Sequence, residues 1–326
     1  MIKLAIDFGT AVTKIYRVGS GIVLSEATCV TVQKDTGEIR AFGDEAKRLL
    51  GKTPELTDVS FPVWEGEIVN ETRAAALLEY FLAKVAKRSV EALFCVPTGC
   101  DAASREKYCR VAKSAGVSRV HFAEAPFLSV LGQDVPLSDS NPVFSIDVGA
   151  GKTSVAAFSL DGTIAGITMN VGGNNIDIHI IDHVAETFNL KIGSLTSEKL
   201  KNTVGSLADN DARSTIVNGR DVTTGRPRSV SVSSADILFP VRVYVDKIIE
   251  YADLVLKKLP AEVSAAMCKN GIYLSGGVTN LAGFADYVGE KLQMETHTAL
   301  DAQMAIVLGG GRAIGNPALL AKIKTE

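Results

Sequence analysis

The sequence predicts an α/β protein of two duplicated domains, each a mixed sheet with flanking helices, and three observations carry this. The pattern D-x-G-x-x-x-T occurs twice, as Asp7-Phe8-Gly9-Thr10-Ala11-Val12-Thr13 and as Asp147-Val148-Gly149-Ala150-Gly151-Lys152-Thr153. Each copy follows an apolar run (Ile2 to Ile6, Val143 to Ile146) and precedes an alternating one (Ile15 to Val18, Val155 to Leu160), which is the signature of a tight β-hairpin. Helix-spaced and strand-like segments then alternate along most of the 326 residues, a length that can bury two cores.

In order, the first hairpin leads through a turn at Gly19-Ser20-Gly21 into a meander near Ile22 to Val32. The apolar spacing of Ala74 to Lys87 predicts a helix, and Ala92 to Val96 a buried strand. Asp101 can cap a helix running to Ser114, and a further helix covers Ala125 to Leu131. The second half repeats the hairpin, with its own turn at Asp161-Gly162-Thr163. Helices follow at Ile176 to Phe188 and Thr196 to Leu207, then a strand at Ser229 to Val232. Ser234 is expected to cap a long helix to Leu259, and Ile272 to Leu274 enters Gly276-Gly277. Ala318 to Glu326 reads as the end of the last helix.

Composition bounds the function. A formal charge of −3 gives no overall electrostatic drive towards nucleic acid or anionic lipid. The chain enters its first strand directly from Met1, and no apolar stretch approaches the roughly 20 residues that span a bilayer, so a cytoplasmic protein is expected. Cys29, Cys95, Cys100, Cys109 and Cys268 are odd in number and lack paired zinc spacing, the pattern of buried free thiols. His179 and His183 share a helix face with no third ligand in view, and Arg220, Arg226 and Arg228 surround a turn without interleaved aromatics. A partly exposed helix face and a solvated hairpin or filament contact are the expectations there.

The hairpins carry the chemistry. A glycine-rich turn exposes consecutive backbone N–H groups that can cradle phosphate oxygens, and a strand-end carboxylate can hold a hydrated divalent cation beside them. Asp and Gly are also ordinary hairpin residues, so one copy would mean little. Two copies in matched settings read as two halves of one site for a nucleotide's phosphate tail.

These residues resemble the phosphate loops of the actin-like ATPase superfamily, and within it the MreB-like bacterial actins. Further segments are similar in the same order: 42–54, Val96-Pro97-Thr98-Gly99, Ile192-Gly193 through Lys201, Gly219 to Pro227, and Leu274-Ser275-Gly276-Gly277. The resemblance implies an actin-like fold of two RNase H-like domains with nucleotide in the cleft between them. Domain I would span 1–142 with subdomain IB at 32–64 and a returning helix at 313–326; domain II would span 143–312 with subdomain IIB at 177–239. It further implies that Asp7 and Asp147 hold Mg2+ through water and that Gly9, Thr10, Ala11, Val12, Thr13, Gly149, Ala150, Gly151 and Thr153 lie on the phosphates of ATP or ADP. Glu198, Lys199, Leu200 and Lys201 match the helix lining the adenosine side, although unaided Glu198-Lys199 is a solvated helical turn. Gly276, Gly277, Val278 and Thr279 match the loop beneath the nucleoside, and Gly172, Gly173 and Asn174 the ribose side. Glu124 occupies the water-positioning place, where a helix-start glutamate is also favoured by the dipole, and Asp147 would help orient the attacking water.

The chain departs from that pattern inside the site. Lys14 stands where an apolar residue is usual, Val12 replaces an asparagine, Ala150 a glycine and Lys152 a threonine, while Asn174 and Asn175 replace acidic residues. Either lysine could add charge at the β- or γ-phosphate; Lys152 could equally point outward along its strand, or obstruct hydrolysis. The implied function is a filament-forming cytoskeletal ATPase with slow hydrolysis, head-to-tail self-association and a role with the cell-shape machinery. No nucleic-acid partner is expected, and membrane association is expected to be weak or absent, since Leu93 and Phe94 read as core strand. A chaperone-type reactivating ATPase and a small-molecule kinase share the same hairpins and remain alternatives.

Overall fold

The computed structural model describes residues 1–135, 137 and 141–325. In chain order, the first half contains β1 (Ile2–Phe8), β2 (Val12–Arg17), β3 (Gly21–Ala27), β4 (Val30–Gln33), β5 (Ile39–Phe42), α1 (Gly43–Arg48), β6 (Thr57–Ser60), β7 (Val63–Trp64), β8 (Glu67–Ile68), α2 (Glu71–Val85), β9 (Val90–Val96), α3 (Ala102–Ser114), β10 (Val117–Glu124) and α4 (Ala125–Gly132). The second contains β11 (Val143–Val148), β12 (Thr153–Ser159), β13 (Gly162–Met169), α5 (Gly173–Phe188), β14 (Leu190–Lys191), α6 (Ser194–Val204), β15 (Ser214–Asp221), β16 (Pro227–Ser233), α7 (Ser234–Leu256), α8 (Ala261–Asn270), β17 (Ile272–Ser275), α9 (Phe284–Leu292), β18 (Thr296–Thr298), α10 (Ala305–Gly315) and α11 (Pro317–Ile323).

The duplication is plain in the two five-stranded sheets. Their orders are β10-β9-β1-β2-β3 and β18-β17-β11-β12-β13. In each, the strand carrying the motif aspartate pairs antiparallel with its hairpin partner and parallel with its other neighbour. The motif strands are buried on both faces because helices cover them, and the largest core side chains gather there: Leu4, Ile6, Phe81 and Phe94 in one half, Phe144, Phe158 and Phe284 in the other. Leu93 and Phe94 are fully buried strand residues, as their sequence context predicts.

Local chemistry sets the helix ends. Asp101 accepts from the Ser104 amide and starts α3, as expected. For α7 the cap is Ser233 rather than Ser234: the Ser233 hydroxyl and the Asp236 carboxylate satisfy each other's backbone N–H groups in a capping box, which Ser234 is one residue too late to build. Only Cys29 and Cys95 are buried thiols; Cys100 and Cys109 are half-buried and Cys268 is exposed.

The C-terminal return also differs from the expectation. It begins at Ala305 rather than 313, and the chain ends in two helices, because Asn316 leaves the helical backbone to cap α11 and Pro317 cannot continue α10. Helix α10 packs on α4, β1, β2 and β9 of the first half. It meets α4 backbone to backbone: a Cβ at Gly309 would lie 1.8 Å from the Leu128 carbonyl oxygen, and one at Gly132 would lie 1.9 Å from that of Ala305.

Candidate functional site

The two motif hairpins face each other across one cleft, with a cavity of about 230 Å³ between them. Register explains what each motif residue does. Asp7 pairs with Lys14 across the first hairpin and Asp147 with Ser154 across the second. Successive strand side chains point to opposite faces, so Val12 and Lys14 line the cleft while Thr13 turns away. Thr13 is fully buried and shares a hydrogen bond with the Thr28 hydroxyl. The second loop repeats this: Lys152 and Ser154 line the cleft, and Thr153 turns back to donate to the Val171 carbonyl. The hydroxyls of the motif threonines thus brace the loops from behind, turned away from the cleft.

Gly9, Thr10, Ala11, Gly149, Ala150 and Gly151 line the cavity as their motif requires. A Cβ at Gly151 would lie 2.7 Å from Thr10 Oγ1 and 2.9 Å from the Glu65 Cα, so only glycine lets the loops approach this closely. Gly276 has φ +91, and a Cβ there would lie 2.2 Å from the Val148 carbonyl oxygen. Gly277 and Val278 continue the floor, whereas the Thr279 hydroxyl is consumed by the Gly276 carbonyl.

The charges are few and close together. Lys14 Nζ donates to Asp7 Oδ2 at 3.0 Å. Burial alone would lower the Lys14 pKa; Asp7 and, less strongly, Asp147 outweigh it and the net shift is upward. Burial pushes the Asp147 carboxyl up to about 6, with Asp7 adding to the shift and the Ser275 hydroxyl, 2.8 Å away, opposing it. Among the described residues no group of three or more His, Cys, Asp or Glu side chains is placed to ligate a metal directly; a cation beside the loops would have the Asp7 and Asp147 carboxylates as its oxygen partners on the cleft wall. His179 and His183 pack instead against the Phe239 ring, with His183 Nε2 2.8 Å from the Asp236 carbonyl oxygen. Arg228 pairs with Asp221 on the exposed β15–β16 hairpin.

Several expected contacts fall elsewhere. Gly173 reaches the cleft, and the amides of Gly173 and Asn174 hold the second loop by bonding the carbonyls of Gly149 and Ala150; Gly172 packs on the same two carbonyls, and its own amide donates to Asn175 Oδ1. Of the α6 set, Glu198 and Lys201 face the cleft while Lys199 and Leu200 do not, because residues adjacent in a helix lie on different sides. Glu198 pairs with Lys47 of α1 at 2.8 Å across the cleft mouth, and the Lys201 ammonium is taken by the Gly173 carbonyl and Asp177 Oδ2. Glu124 is absent from the cavity wall. Its carboxylate accepts from the Gly99 amide at 3.2 Å and the Thr163 hydroxyl at 2.8 Å, which ties the first half to the start of β13.

The sequence reading missed the β7–β8 hairpin. Its two-residue turn, Glu65-Gly66, has positive φ at both positions (48 and 69), and its tip enters the cleft, where the Gly66 amide donates to Thr10 Oγ1 at 3.0 Å. A Glu-Gly turn flanked by two-residue strands is a weak signal beside Asn-Gly, although the Gly was there to be read. Asp177 was missed too: its Oδ1 is buried with no partner, in a second hollow that Thr10, Phe61, Trp64 and Glu198 help to line.

A family model described as MreB/Mbl protein matches residues 1–322. The chain belongs to the MreB/Mbl family. The cell shape-determining protein MreB of Escherichia coli K12 is 30% identical over 321 residues, which cover 95% of this chain and 92% of that one. MreB5 of Spiroplasma citri is 26% identical in two crystal structures. The ADP-bound one superimposes with a TM-score of 0.91 over 94% of each chain, and the AMPPNP-bound one with 0.92 over 99% of this chain and 98% of that one. MamK, solved as a double helical filament, is 21% identical with a TM-score of 0.82 over 97% and 99% of the two chains, and speaks to the fold alone. The MreB/Mbl fold here is actin-like, and its cleft is the one the two hairpins form.

Proposed function

We propose that this MreB/Mbl chain binds ATP and ADP in the interdomain cleft, hydrolyses ATP slowly with Mg2+, and assembles head to tail into filaments that act in the cytoplasm with the cell-shape machinery. The observation that carries the reading is the facing pair of phosphate-type hairpins, each with its motif aspartate on the cleft wall. The nucleotide-bound relatives support the ligand, and the family supports the cellular role. Domain I would comprise 1–142 with α10 and α11, and domain II the segment 143–304.

In this reading the backbone amides of the two loops cradle the β- and γ-phosphates. Lys14 is held at the cleft wall by Asp7 and swings little to meet phosphate oxygen, adding a point charge where negative charge is densest. Mg2+ supplies charge neutralisation at the phosphates when bound. Asp147 is the carboxylate already in place to orient a water, since Glu124 reaches the cleft only after releasing Thr163.

Lys14→Met is expected to weaken ADP and AMPPNP together by about tenfold, the scale of one lost charge-assisted hydrogen bond, as read by calorimetry. Unchanged affinities would remove Lys14 from the site. For assembly, the test is electron microscopy with pelleting in Mg2+, comparing ATP, AMPPNP and no nucleotide while phosphate release is followed. Nucleotide-dependent filaments are expected, because a heterologous contact that does not close produces an open polymer. A chain that binds nucleotide yet stays monomeric throughout would return the chaperone and kinase readings.

A further inference from the structure

Lys152 has a partner that explains why a lysine can be tolerated in the second loop. Its Nζ lies 3.0 Å from Glu67 Oε1, so the side chain spans from the second half of the chain to the β7–β8 hairpin of the first. The aliphatic stem lies directly over Gly66, where a Cβ would come within 2.9 Å of Lys152 Cδ. The same hairpin tip is bonded to Thr10 of the other loop. One short turn therefore touches both phosphate loops, and the Lys152 side chain lies along it at the cleft wall.

We propose that Lys152 is a specificity-determining residue for the γ-phosphate: a triphosphate draws its ammonium from Glu67, and a diphosphate leaves the Lys152–Glu67 pair closed. This rests on the nucleotide reading of the cleft. The pair is easily exchanged. The Glu67 side chain is 39% exposed, and a half-solvated ion pair contributes little, whereas a lysine on a multiply charged phosphate gains a stronger charge-assisted bond. Glu67 is not orphaned by the exchange, because its Oε2 keeps the Ser104 hydroxyl at 2.8 Å and the rest of the carboxylate reaches water. The lysine stem is itself only 17% exposed and lines the cleft, so a small rotation suffices. Breaking the pair removes the ion pair between the second loop and this hairpin and leaves the backbone contact of Gly151 with Glu65 in place, so the hairpin stays seated while the ammonium turns to the phosphate.

The test compares AMPPNP with ADP, each with Mg2+, by calorimetry on the full chain and two variants. In Lys152→Thr the affinity for AMPPNP should fall by about tenfold while that for ADP moves less than about twofold. In Glu67→Gln the lysine loses its competitor, and AMPPNP should bind severalfold more tightly with ADP unchanged. Equal losses for both nucleotides in Lys152→Thr would overturn the proposal in favour of general electrostatics, as would no change in either variant. ADP binding to each variant reports that it has folded. If the unaltered chain binds neither nucleotide, the reading of the cleft falls first and this proposal with it.

Discussion

Asp147→Asn will make the nucleotide-free chain more stable and nearly abolish its Mg2+-dependent nucleotide binding. The Asp147 carboxyl titrates at about 6 in the fold against 3.8 for the ordinary group, chiefly because burial disfavours the charge. A raised carboxyl pKa means that the folded chain holds the proton more tightly than the unfolded one. The stability associated with that proton is fully present below pH 3.8 and lost as the pH rises through about 6. Above about pH 7 the ionised group destabilises the fold by roughly 3 kcal/mol, and an amide of the same shape does not. Ser275 can still donate to the amide oxygen of the substituted side chain, so no buried hydroxyl is stranded. Urea denaturation should show the variant ahead by up to this amount near pH 7.5 and the gap closing towards pH 4. A variant less stable than its parent at both values would mean that the carboxylate is stabilised by partners other than Ser275 and Lys14. Nucleotide binding should go the other way if, as proposed, Asp7 and Asp147 together hold the Mg2+ through its waters, and unchanged Mg2+-dependent affinity in the variant would remove Asp147 from that role.

Gly309→Ala should be the most damaging single methyl in the chain. The added carbon would lie 1.8 Å from the Leu128 carbonyl oxygen and 2.7 Å from its carbon, and both belong to helix backbone that cannot rotate away. Helix α10 must then lift from α4, which opens the small core to which Leu128 and Val307 both belong. Overpacking of this kind typically destabilises by about 3 kcal/mol and occasionally more. Thermal or urea unfolding should show it, and Gly315→Ala in the same helix serves as control, because a Cβ there meets nothing nearer than 3.9 Å. Equal, small effects at the two positions would show that the helices are less closely apposed.

What could be read from sequence follows from how local the cause is. The two hairpins, α3 with its Asp101 cap and the buried β9 strand are specified by residues a few positions apart, and they lie where pattern and capping chemistry put them. The cleft loops were equally legible, since their glycines and aspartates sit within one motif. The orientation of the Thr13 and Thr153 hydroxyls, away from the cleft, needed only the strand's alternation. Contacts between distant segments left no local trace. Nothing near Lys152 announces Glu67, and nothing near Glu124 announces Thr163, because each pair is set by how two sheets meet. The break at Asn316-Pro317 was legible from the proline and was overlooked within an apolar run.

The glycine-lined contact of α4 with α10 has a mechanical consequence. The chain leaves the first half after α4 and returns from β18 into α10, so the two helices that flank its passages between the halves are the ones packed against each other. Two tethers fixed side by side leave the halves one easy movement, a swing about the line of those helices, and resist sliding and separation. The ion pairs Lys152–Glu67 and Lys47–Glu198 each join the first half to the second. A change of a fraction of an ångström at the phosphate loops, close to the pivot, would be multiplied at the outer rims of the two halves, and those rims are where a neighbouring copy could sense it.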